Sequence, residues 1–151
     1  MEGILLSAHV LAGILFVGPS AVAASLFPRY APVTVSTARR TGERNEGVAR
    51  MLHRITRVYG ILGIIVPLVG ITLAFVQGRM GEIWITIAMV CTAIAGGILA
   101  LQIYPRQREA LATPDDGRQL KKLGMLAGIF NLLWAVVVVL MIVRPGSDYN
   151  P

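Results

Sequence analysis

Charged side chains are missing from four stretches of the chain, residues 3–27, 58–78, 83–104 and 123–143, each at least 21 residues long. About 20 mainly apolar residues cross a hydrocarbon core roughly 30 Å thick. The pattern therefore predicts an all-α polytopic membrane protein, a single-domain four-transmembrane-helix bundle. Helices are expected over about 3–27, 46–78, 83–104 and 114–143, with loops 28–45 and 105–113 on one face. Ala21-Val22-Ala23 resembles a signal-peptide cleavage site, but the basic stretch that should precede one is lacking. The first block is expected to stay as a helix.

Periodicity refines the ends. Val48, Met51, Leu52, Ile55 and Tyr59 recur at helical spacing, with Arg50, His53, Arg54 and Arg57 opposite them. This predicts an amphipathic extension of the second helix lying on the lipid surface, with His53 solvated. Thr113-Pro114-Asp115-Asp116 reads as an N-cap, a proline at the first helical position and two acids at the positive helix end. Pro19 and Pro67 fall inside helices and free the carbonyls of Leu15 and Gly63, which need other partners. Leu26-Phe27-Pro28-Arg29 and Ile103-Tyr104-Pro105-Arg106 end blocks one and three alike. Either a duplicated hairpin or the ordinary composition of a membrane boundary produces such a pair.

Charge adds orientation. Twelve of the fourteen basic residues lie between blocks one and two or between three and four; only Arg79 and Arg144 belong to the other face. The positive-inside rule then puts both termini outside a bacterial inner membrane. The net charge of +6 is explained by topology and by attraction of anionic lipid heads to Arg29, Arg50, Arg54, Arg57, Arg106, Lys121 and Lys122. No loop interleaves basic residues with aromatics as a nucleic-acid surface would, so no nucleic acid is expected. The lone Cys91 excludes an internal disulfide.

Small residues recur at helix-packing spacing: Gly124 with Gly128, Ala93 with Gly97, Gly96 with Ala100, and Gly60, Gly63 and Gly70 in helix two. Such faces serve contacts within the bundle or with other membrane proteins, in a homo- or hetero-oligomer.

Few residues could carry chemistry. A polar group left unpaired in hydrocarbon costs roughly 2–7 kcal/mol, so His9, Gln102 and Asn131 need an account. Gly13, Phe16, Ser20, Ala23 and Ala24 share a helical face with His9, which places the imidazole in the bundle interior. His53 is roughly 25 Å or more away along the membrane normal, too far to share a haem iron with His9. Met89 and Cys91 lie at nearly the depth of His9, with Met141 and Met80 near the same face. Imidazole, thioether and thiolate suit copper(I), and His with Met is an axial haem pair. The alternative is a structural histidine bonded to Thr86, Gln77 or Glu82. No nucleophile triad, phosphate loop, CxxC or HExxH is present. The resulting expectation is an accessory or partner-binding membrane subunit without a catalytic site.

SAHVLAGILFVG at residues 7–18, followed by LFPRY, resembles a family of uncharacterised bacterial four-helix integral membrane proteins through His9, Gly18, Pro28 and Arg29. That family is distantly similar to the copper-resistance D (CopD) proteins and the HemJ-like protoporphyrinogen oxidases. The resemblance implies haem b or copper with His9 as a ligand. The chain departs from the HemJ-like pattern in having no lysine and no second histidine within its apolar blocks.

Overall fold

A computed structural model describes residues 2–34 and 44–147. The part of the expected 28–45 loop at 35–43, with Arg39 and Arg40, and the last four residues lie outside the described residues. Four helical spans, Glu2–Tyr30, Glu46–Val76, Ile83–Ala112 and Arg118–Val143, are each long and apolar enough to cross a membrane. No strand occurs among the described residues. We number the α-helical pieces α1 (Glu2–Ala12), α2 (Gly18–Tyr30), α3 (Glu46–Leu62), α4 (Ile65–Val76), α5 (Ile83–Ile98), α6 (Tyr104–Ala112) and α7 (Arg118–Val143). The two connections rich in arginine define a basic end of the bundle. The opposite end is called the termini end.

Three spans are interrupted, each beside a proline. A π turn, Gly13–Val17, separates α1 from α2 just before Pro19. The Ser20 hydroxyl takes up carbonyls there, donating to Val17 at 2.9 Å and Phe16 at 3.2 Å. Gly63 and Ile64 divide α3 from α4. The Gly63 carbonyl, which Pro67 cannot bond, accepts instead from the Val66 N–H at 3.1 Å. In the third span a π turn, Leu99–Ile103, ends where the Tyr104 N–H bonds Leu99. Pro105 follows in the first turn of α6, directly after the π turn.

That last feature corrects the expected loop at 105–113. The chain stays helical to Ala112, and Thr113 closes α6 with its N–H on the Glu109 carbonyl at 2.8 Å. The fourth helix accordingly begins at Arg118 and not at 114. Gly117, at φ +98°, makes the turn. The acids still cap it: Asp115 accepts from the N–H groups of Gly117 at 2.8 Å and Gln119 at 3.1 Å. The two Phe/Tyr-Pro-Arg boundaries also diverge, since α2 stops at Tyr30 whereas α6 runs on from Tyr104.

The amphipathic start of helix two is part of the packed bundle. It packs against α2 and α6, burying Ala49, Leu52 and Thr56. At the basic end α2, α3, α6 and α7 close a ring around Phe27, Leu52, Ile103, Leu123 and Phe130. Ala23, Ala24, Ala49, Ala95 and Ala127 let the backbones approach. At the termini end the helices pair off, α1 along α4 and α5 along α7, with slight contact between α4 and α5. The core there is small: Ala74, Trp84 and Ile85.

Candidate functional site

His9 projects from α1 into the packed interface with α4 and is only 8% exposed. Ala12, Ser20, Ala23 and Ala24 of the same span are buried with it, so the imidazole does face the interior. Gly70 makes the room. A Cβ at that position would stand 2.7 Å from His9 Cε1, so the ring lies directly on the α4 backbone. Its Nδ1 is buried with no hydrogen-bond partner among the described residues.

The expected structural partners are not the ones used. Thr86 is exposed. Glu82 accepts from Arg79 at 2.6 Å and from the Trp84 indole N–H. The Arg79 guanidinium, with help from Trp84, holds the Glu82 carboxyl below the usual carboxylate range.

The soft-metal candidates lie on these elements. Met89 is exposed and Cys91 half-buried, both on α5; Met80 is exposed in the turn before it, and Met141 packs beside the Trp84 cluster. Among the described residues no group of three His, Cys, Asp or Glu side chains could hold a metal ion. A shallow hollow on the outside of α1 is lined by Gly3, Ile4, Ser7, Ala8 and Leu11 and does not include His9.

The packing glycines divide into two sets. Gly60 and Gly70 receive Leu99 and His9 inside the chain. Gly96, Gly97, Gly124 and Gly128 have nothing within 4 Å of a built Cβ. Gly124, Gly128, Asn131 and Ala135 are all exposed and lie within about a sixth of a turn of one another along α7. Asn131 Nδ2 donates to Ser25 Oγ at 2.8 Å, and Ser25 in turn donates to Ala21 at 2.8 Å. Gln102 is exposed within the second π turn, two residues from the end of its apolar block.

Arg29, Arg50, Arg54, Arg57, Lys121 and Lys122 are exposed at the basic end, and Arg106 is half-buried there. His53 departs from expectation. It is half-buried, stacked on Tyr104 and in contact with Gln107 of α6, and not simply solvated. Arg44 was missed as well: its Nη1 donates to the carbonyls of Pro28 at 2.7 Å and Ala31 at 3.1 Å, capping α2. Arginine near a helix C-terminus is the usual signal for such a cap, but sixteen residues of chain separate Arg44 from Pro28.

No protein-family model, curated protein or solved structure matches the chain.

Proposed function

We infer that the chain is an accessory, partner-binding subunit of a bacterial inner membrane, with its basic end in the cytoplasm and both termini outside. The carrying observation is the uncovered stripe Gly124–Gly128–Asn131–Ala135 on α7. A small-residue face lets a second helix approach until backbone atoms touch, and van der Waals packing drives such association in lipid. Asn131 sharpens the reading. Its amide stands exposed well inside an apolar block and uses one donor on Ser25, which leaves a carbonyl able to accept from a neighbouring helix. The twelve-to-two split of basic residues supports the orientation.

Gly128→Leu tests this directly. It fills open space in the chain itself, so insertion and folding should be kept, while any partner or second copy that co-purifies with the wild type should be lost. Co-purification unchanged in the variant would overturn the assignment of that face.

A second reading rests on His9 Nδ1. A buried ring nitrogen with no hydrogen-bond partner is one that a metal could satisfy, since a neutral imidazole nitrogen is a common metal ligand. His9 would then hold haem b or copper, as the family resemblance implies. An absorbance spectrum and metal content of the protein from haem-replete cells separate the two readings. A Soret band or stoichiometric copper supports a ligand; a colourless, metal-free preparation leaves His9 as a packing residue.

A further inference from the structure

His53 and Gln107 meet where α3 and α6 leave the apolar blocks, which begin at Val58 and end at Tyr104. The cluster stands at headgroup depth. The His53 ring stacks on Tyr104, centroids 4.8 Å apart and planes 14° from parallel. Its Nδ1 is 3.1 Å from Gln107 Oε1. Behind it Gln107 and Thr56 are buried. Thr56 Oγ1 donates to the Leu52 carbonyl at 3.0 Å and accepts from Gln107 Nε2 at 3.4 Å.

These partners set the direction of every bond. A threonine hydroxyl has one hydrogen, and here it goes to Leu52. Gln107 therefore presents its NH2 to Thr56 and its oxygen to His53. His53 Nδ1 carries a hydrogen whatever the charge of the ring, and Nε2 is the nitrogen that gains or loses a proton. Nε2 has no hydrogen-bond partner among the described residues and is not sealed from the surface.

Arg57 lies four residues on, a same-face neighbour on the helix. It is exposed, with no ion pair or hydrogen bond among the described residues. Arg50, three residues back, is instead paired with Glu46 at 2.6 Å. Beyond Arg57 the helix continues with exposed Val58 and Ile61, an apolar surface for an acyl chain. A cation beside an oriented ring, followed along the helix by an apolar surface, fits an amphiphilic anion.

We propose that Arg57 and His53 bind the phosphate of an anionic phospholipid headgroup, and that His53 Nε2 takes up a proton as the phosphate binds. An anion beside Nε2 favours the protonated ring, so lipid and proton bind together. The other charged or titratable groups on the neighbouring stretches of the helices packed here are Glu46, Arg50, Arg54 and Tyr59 on α3, Tyr104, Arg106, Arg108 and Glu109 on α6, and Arg29 and Tyr30 on α2. Because Nδ1 keeps Gln107 in both charge states, the helices stay joined while the lipid affinity changes.

The test uses the full chain in neutral detergent, titrated with short-chain phosphatidylglycerol, with phosphatidylcholine or with inorganic phosphate, and read by the shift of the unfolding midpoint. Phosphatidylglycerol should bind roughly three- to tenfold more tightly at pH 5.5 than at pH 7.5, the range in which an imidazole changes charge. The other two probes should show no such change. His53→Lys should bind tightly at both pH values, His53→Gln weakly at both, and Arg57→Gln more weakly than wild type throughout. Wild-type binding that ignores pH, or a pH dependence that survives both His53 variants, overturns the proposal. So does equal, pH-linked binding of inorganic phosphate, which would make the site one for a free anion.

Discussion

At the basic end α2, α3, α6 and α7 each touch two neighbours around a common core, whereas at the termini end α1 leans chiefly on α4 and α5 on α7. The difference follows residue size. In lipid, apolar side chains gain little by leaving the solvent, so helices associate where small residues allow close packing or polar groups can bond. Seven buried alanines and the glutamine–threonine–histidine cluster supply that at the basic end. At the termini end α1 and the π turn after it show Ile4, Val10, Leu11, Ile14 and Leu15 to their surroundings, and α1 seats one histidine ring on one glycine of α4. A bundle can thus be closed at one membrane face and open at the other without any change in overall apolarity.

The largest effect should come from hollowing the closed end. Phe130, 2% exposed, packs at the centre of its core, and Phe130→Ala should fall at the low end of the roughly 3–5 kcal/mol seen for buried Phe→Ala, since lipid competes for the apolar surface. Phe75→Ala, at a residue 76% exposed on α4, should leave stability in a reversible denaturing-detergent titration nearly unchanged. Equal losses at both would break the comparison.

Next comes the histidine seat. Gly70→Ala should push the imidazole off the α4 backbone at a cost of about 1–3 kcal/mol. His9→Leu should cost about 1–3 kcal/mol by replacing the flat ring seated on Gly70 with a branched side chain. The two positions should be non-additive in a double-mutant cycle, because they share one contact. Additive losses would show that α1 is held by something else.

The smallest effect belongs to the turn joining the two helix pairs. Glu82 has its folded-state pKa lowered, chiefly by Arg79. The ion pair therefore contributes above the ordinary carboxylate range and loses its contribution as pH falls through the lowered folded value. Glu82→Gln should remove that acid-side slope and leave the rest of the pH profile alone; a slope retained in the variant assigns it to another acid.

The four spans were legible because uncharged runs of that length have few other uses, and the buried face of His9 followed from helical spacing alone. Other features depended on contacts between distant parts of the chain. His53 lies on the arginine face of its own helix, and only α6 passing beside it supplies Gln107 and Tyr104. Gly70 looks like any membrane glycine until the imidazole opposite is placed. The fourth helix starts late because Gly117, not Thr113, takes the turn, a choice decided by α6 continuing through Pro105.

Paired spin labels measure the contrast between the two ends most directly. Arg29→Cys with Lys122→Cys spans α2 and α7 at the basic end; Gly3→Cys with Val143→Cys spans α1 and α7 at the termini end, and all four positions are exposed. In lipid nanodiscs the basic-end pair should give one narrow distance distribution and the termini-end pair a broad one. Distributions of equal, narrow width would contradict an open termini end and show α1 to be as firmly held as the rest of the bundle.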